Sequence, residues 1–133
     1  MSGLSDPPLG SDEGHEAVDA IVIGAGFGGL RMLHELRGLQ LSAKVLEAGS
    51  DVGGTWYWNR YPGARTDSEA WVYCYSFDED LLADWDWSER FPKQPEVLRY
   101  LQHVADRFDL RRDIQFDSRV VSAHYEQDAN RWV

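Results

Sequence analysis

A chain of 133 residues with 43% hydrophobic residues is long enough, and apolar enough, for one globular domain with a buried core. Its 23 acidic and 13 basic residues give a formal net charge of −10, which argues against non-specific binding to nucleic acid or to an anionic membrane. A single cysteine, Cys74, excludes an intrachain disulfide and a thiolate zinc cluster, and four scattered histidines suggest no metal site.

Met1–Ala17 reads as a flexible acidic tail with Pro7, Pro8 and little to bury. It lacks the basic start and apolar core of a signal peptide, and no later apolar run reaches the roughly 20 residues of a membrane helix. A soluble, cytoplasmic protein is the expectation, with residues 18–133 forming the folded part. Val18–Ile23 is a continuous apolar run, which suits a central parallel strand covered on both faces. Gly24–Gly29 is a turn, and Leu30–Arg37 a helix whose Leu30, Met32, Leu33 and Leu36 can face the sheet. Gly38 is placed to cap it, and Ala43–Glu47 is the second strand. Strand, helix and strand make a βαβ unit of about 30 residues.

From Trp56 to Phe91, 36 residues hold 11 aromatics without a clean period, apart from a short helix expected at 68–73. The stretch reads as an excursion out of the sheet, held by aromatic packing that includes Trp71, Trp85 and Trp87. Pro95–Leu110 has helical spacing in Val97, Leu101, Val104 and Phe108, with Pro95 in the first turn. Ile114–Phe116 and Val120–Tyr125 read as strands, Asp128–Asn130 as a turn, and Arg131–Val133 as the start of another strand. A chain that stops inside a strand is expected to be the first part of a longer protein.

The chemistry starts at Gly24-Ala25-Gly26-Phe27-Gly28-Gly29. Gly24 permits the tight strand-to-helix turn, Gly26 lets backbone approach a pyrophosphate, and Gly29 lets the helix pack close to the strand. The helix start then offers free N–H groups and a positive dipole end to phosphate. Glu47, 23 residues after Gly24, ends the second strand, where a carboxylate can accept from both hydroxyls of a ribose. A 2′-phosphate would meet a like charge there, so FAD or NAD is preferred over NADP at this turn. The bland alternative is a plain glycine turn beside an exposed glutamate. Gly53-Gly54-Thr55-Trp56 follows at once and could bring backbone, a hydroxyl and an indole against a flat ring system, or could be a core turn with buried aromatics.

The segments "GAGFGGL", "LEAGSDVGGTWYWNRYPGARTDSEAWVYCYSF" and "DWDWSERFPKQPEVLRYLQHVADRFDL" resemble the N-terminal part of the Baeyer–Villiger monooxygenases, class B flavoprotein monooxygenases. The resemblance runs from about Val18 to Val133. It implies a Rossmann-like α/β FAD-binding domain with a parallel sheet, an aromatic-rich insertion and a small β-rich element near the C-terminus, part of an enzyme with two dinucleotide domains. It also implies FAD, NADPH, O₂ and a ketone substrate converted to an ester or lactone. Carried onto this chain, Gly24, Gly26 and Gly29 would hold the FAD pyrophosphate and Glu47 its ribose. Thr55 and Trp56 would lie on the flavin side, with Arg65, Thr66 and Asp67 passing near the nicotinamide side. Asp67 would orient a catalytic arginine that lies outside these residues. Tyr73 would stand beside the flavin, and Val120 would touch the adenine end through its backbone.

On residue chemistry alone, Asp67 could equally cap a turn, Arg65 could form a surface ion pair, and Tyr73 and Val120 could be ordinary core residues. Thr66 departs from the Arg-Cys-Asp that many relatives carry, replacing a thiol with a hydroxyl. The family's second glycine turn and downstream fingerprint are not in these residues, so the 133 residues alone are expected to be inactive. The rival readings are a flavin monooxygenase that oxygenates nitrogen or sulfur (or an N-hydroxylase), and a noncatalytic nucleotide-binding fragment.

Overall fold

The computed structural model describes residues 16–133, so the expected tail lies outside the described residues except for Glu16 and Ala17. Strands β1 (Ala20–Ile23), β2 (Ala43–Leu46) and β3 (Ile114–Gln115) form a parallel sheet in the order β1-β2-β3. Ala20 lies opposite Ala43, Ile23 opposite Leu46, and Val45 opposite Ile114. The central strand is therefore β2. Among the described residues the expected central, doubly covered first strand is corrected: β1 starts at Ala20, pairs with β2 alone, and leaves Ile21 and Ile23 exposed at 54% and 66%. Alternation sends Val22 into the core and its two neighbours to the open face. An unbroken apolar run does not by itself say whether one face is covered or two.

Helix α1 (Phe27–Gly38) begins three residues earlier than expected, so Gly28 and Gly29 sit in its first turn. Leu30 and Leu33 are buried, but Met32 is 51% exposed, one step off the buried stripe. Gly38 is the last helical residue rather than the cap. The left-handed position falls on Gln40, with φ 60°. There the Gln40 N–H donates to Arg37 O and the Leu41 N–H to Leu36 O, a Schellman ending built without glycine.

The aromatic excursion contains two short helices not foreseen from its pattern, α2 (Thr55–Trp58) and α3 (Glu79–Asp84). Asp78 caps α3 by accepting the Leu81 N–H at 2.7 Å. The helix expected over 68–73 is instead a single turn, in which the Tyr73 N–H donates to Glu69 O. Trp85 and Trp87 pack on Tyr100 at centroid distances of 5.4 and 4.9 Å. Trp71 does not share that role: it is 62% exposed, with the Arg90 guanidinium 5.5 Å over its ring.

Helix α4 (Gln94–Arg107) carries Pro95 in its first turn and buries Val97, Tyr100, Leu101, Val104 and Ala105. It too ends in a Schellman arrangement, with Asp109 at φ 48°. The strand expected at Val120–Tyr125 is corrected to β4 (Tyr125–Glu126), which pairs antiparallel with β5 (Arg131–Trp132) across a turn containing Asn130 at φ 50°. Residues 120–124 lie in no strand; only Val120 is half-buried, the other four are exposed, and Val121 is 89% exposed.

Candidate functional site

The carboxyl ends of β1 and β2 meet the start of α1. Gly24 has φ +94°, and a Cβ at Gly29 would lie 1.8 Å from Gly24 O, so the helix rests directly on the turn. At Gly28 an added Cβ would meet nothing within 4 Å. Gly26, the residue before α1, makes no side-chain cap, and the first turn holds no acidic residue. The Phe27, Gly28 and Gly29 N–H groups therefore have no intrahelical acceptor and stand at the positive end of the helix dipole. Uncapped amides, glycine in place of side chains and open space at Gly28 fit a pyrophosphate.

Glu47 is not the exposed glutamate of the bland alternative. It is 4% exposed, and its Oε2 accepts the Ala25 N–H at 2.6 Å while Oε1 accepts the Gly49 N–H at 2.7 Å. The carboxylate is thus fixed against the phosphate turn, each oxygen keeping a further lone pair. Gly53–Trp56 joins the same turn. The Gly53 N–H donates to Ala25 O at 2.9 Å, and the backbones of Gly26 and Gly54 touch so closely that a Cβ on Gly54 would come within 2.8 Å of the Gly26 Cα. The two glycine turns hold each other, a relation that their separate motifs do not reveal.

Trp56 is buried, and its Nε1 donates to the Tyr73 hydroxyl at 3.1 Å. Tyr73 in turn packs edge-on against Phe27, the first residue of α1, at 5.2 Å. Thr55 is exposed beside this pair. Thr66 is 4% exposed and its hydroxyl donates to Ser68 O at 2.8 Å, so the hydroxyl that replaces a thiol braces the local chain. Arg65 lies 3.5 Å from Glu89 in a surface ion pair, and Asp67 is exposed with its carboxylate 3.4 Å from the Ser68 hydroxyl. Val120 is half-buried in a groove of about 590 Å³ beside Ile21, Ile23, Leu46 and Trp132. The fold thus gathers Gly24, Gly26, Gly29, Glu47, Trp56 and Tyr73 around the start of α1.

Two tyrosines escaped the sequence reading. The Tyr75 hydroxyl donates to Phe27 O at 2.5 Å, and the Tyr100 hydroxyl accepts the Tyr75 N–H at 2.9 Å. Burial pushes the Tyr75 phenol well above its ordinary value, and burial likewise pushes Tyr100 up to about 12. Both stay protonated, and Tyr75 remains a donor that pins the first turn of α1. In the sequence they are two more residues of an aromatic block and a helical stripe.

Residues 22–86 match the NAD(P)-binding Rossmann-like domain, a span that includes both glycine turns, Glu47 and Arg65–Asp67. The chain is 56% identical over 115 residues to an acetone monooxygenase (methyl acetate-forming) of Gordonia sp. strain TY-5, covering 86% of this chain and 22% of that protein. It is 53% identical to a Baeyer–Villiger monooxygenase of Pseudooceanicola batsensis, over 86% of this chain and 21% of that one. The chain matches the N-terminal part of the Baeyer–Villiger monooxygenases. An oxidized steroid monooxygenase bound to NADP superposes with a TM-score of 0.85 at 55% identity, over 86% of this chain and 22% of that one. A phenazine N-monooxygenase of Lysobacter antibioticus is 51% identical, over 86% of this chain and 21% of that protein. The chain thus spans about a fifth of the length of the Baeyer–Villiger monooxygenase and the other curated relatives it matches. Its three-stranded parallel sheet with α1 on the glycine turn is the Rossmann-like start of that fold.

Proposed function

We propose that residues 18–133 are the FAD-binding start of an NADPH- and O₂-using monooxygenase that oxidises ketones to esters or lactones. The observation that carries this reading is the uncapped first turn of α1 beside the buried Glu47, in a chain whose relatives include an acetone monooxygenase and a Baeyer–Villiger monooxygenase. The Phe27–Gly29 amides would hold the pyrophosphate, with Gly24, Gly26 and Gly29 keeping side chains out of its way. Glu47 would hold the ribose through the lone pairs that Ala25 and Gly49 leave unused. Thr55, Trp56 and Tyr73 would form a wall on the flavin side, and Val120 would contact the adenine end. Arg65, Thr66 and Asp67 would line the nicotinamide side, where the Asp67 carboxylate is exposed to receive a guanidinium from outside these residues.

When bound, FAD would supply the redox chemistry that couples NADPH oxidation to the use of O₂. The part played by this chain is to bind, orient and exclude water: amides for phosphate, a fixed carboxylate for the sugar and a hydrogen-bonded indole for the ring side. The test is on the full-length protein. Purification should give a yellow protein with a flavin absorbance band, and NADPH consumption should rise with a cyclic or aryl ketone and yield an ester. A colourless protein that takes up no added FAD would end the cofactor reading. The 51% identity to a phenazine N-monooxygenase favours one second reading, oxygenation of nitrogen. A panel pairing ketones with N-heteroaromatics separates the two by product, an ester against an N-oxide.

A further inference from the structure

Gln94 is the first residue of α4 and is 7% exposed. A polar side chain at the start of a helix ordinarily lies in solvent or caps its own helix. This one does neither. Its Nε2 donates to the backbone carbonyl of Trp56 at 2.5 Å, 38 residues away in sequence. Its backbone N–H donates to Ala64 O at 2.9 Å, and the neighbouring Thr66 N–H donates to Pro92 O at 3.0 Å. Arg65 and Lys93 form an antiparallel bridge between these two bonds.

The two carbonyls that Gln94 holds belong to separate segments. Trp56 lies in α2, a helix of four residues whose carbonyls have almost no partners within the helix. Ala64 leads into Arg65, Thr66 and Asp67. Between them, Trp58–Gly63 is exposed along its whole length, and the hydrogen bonds along it are local, from Asn59 to Thr55 O, from Arg60 to Tyr57 O and from the Ala64 N–H to Tyr61 O. Gln94 binds one segment by its side chain and the other by its main chain, both on the rigid end of a 14-residue helix. Side-chain length matters. Asparagine falls one methylene short of Trp56 O, and methionine fills the same space without a donor.

We propose that Gln94 is a positioning residue that fixes Thr55–Trp56 relative to Arg65–Asp67, and so sets the spacing of the wall against which the flavin ring lies. The proposal rests on the FAD reading above.

The experiment uses the full-length protein as wild type, Gln94→Met, Gln94→Asn and Gln102→Met. Gln102 is a matched control on the same helix: its Nε2 donates to Asp51 Oδ2 at 2.7 Å and touches neither segment. Each protein is stripped of cofactor and titrated with FAD, and the visible circular dichroism of the bound flavin and the melting temperature are recorded. Gln94→Met is expected to weaken FAD binding by about tenfold, the effect of leaving one buried carbonyl without its donor, and to shift the flavin dichroic bands. Gln94→Asn should show the same change to a smaller degree. Gln102→Met should lower the melting temperature comparably while leaving FAD affinity and dichroism as in wild type. Gln94 variants that melt lower but bind FAD with wild-type affinity and dichroism would reduce Gln94 to a structural residue and overturn the proposal. A wild-type protein that takes up no FAD overturns the cofactor reading itself, and is seen before any variant is compared.

Discussion

Two adjacent glycines at the start of α1 carry opposite consequences. A methyl group at Gly29 would lie 1.8 Å from Gly24 O, whereas one at Gly28 meets nothing. Gly29→Ala is expected to destabilise the fold by about 3 kcal/mol, since backbone rather than a pliable side chain must move. Gly28→Ala should change stability by less than about 1 kcal/mol, because alanine is the better helix residue and has room. Urea melts of the two variants check this, and equal midpoints would disprove the close packing of helix on turn. At Glu47 the carboxylate accepts two backbone N–H groups from separate loops. Glu47→Ala leaves both without that acceptor and is expected to cost roughly 2–4 kcal/mol, whereas Glu47→Gln keeps one acceptor and should lose less. A Glu47→Ala protein melting within about 0.5 kcal/mol of wild type would mean that the two bonds contribute little.

Two features at the scale of elements govern how they are joined. The Schellman ending after α1 places Gln40 at φ 60°, a conformation that costs a residue with a Cβ about 1 kcal/mol. Gln40→Gly should therefore raise stability by about 0.5–1 kcal/mol, visible as a small upward shift of the thermal midpoint. The second feature is Asp51, between β2 and α2. Its Oδ1 accepts from Arg111 at 2.6 Å and from the Val52 N–H at 2.7 Å, and its Oδ2 accepts from Gln102. Burial would raise this carboxyl, but the bonds from Arg111, Gln102 and Val52 outweigh it and hold it below its usual value of 3.8. A carboxyl depressed in the folded state adds stability that is complete above its unfolded value and is lost as pH falls through the lower folded value. Acid melts should show wild type losing stability below about pH 4, with Asp51→Asn already weaker at pH 7 and flatter in that acid range.

Across the whole molecule, the sheet is covered unevenly. One face of β1 packs on α1, while Ile21, Ile23 and Trp132 remain 54%, 66% and 64% exposed around the groove that also holds Val120. Contiguous apolar surface of this kind is uncommon on a closed domain. The 133-residue chain is expected to bind a hydrophobic dye, and Ile21→Thr with Ile23→Thr should reduce that binding while keeping strand propensity. Unchanged dye fluorescence in the double variant would place the apolar surface elsewhere. Among the described residues, no helix is long and apolar enough to cross a membrane.

The βαβ unit, the glycine turn and the place of Glu47 were legible in the residues alone, because each rests on local chemistry: an apolar run, residues without Cβ, and a fixed distance along the chain. The sequence also carried the resemblance to the Baeyer–Villiger monooxygenases, since the aromatic block is specific as a string even where it has no period. It could not determine that β1 has an open face, that Val120–His124 forms no strand, or that α2 and α3 interrupt the aromatic block. Those outcomes depend on which neighbour covers which side. That Gly26 packs on Gly54, that Tyr75 pins Phe27, and that Gln94 joins α2 to the segment at Ala64 follow from how the folded chain packs. Each is a contact between segments distant in sequence, formed by backbone groups whose partners no local pattern specifies.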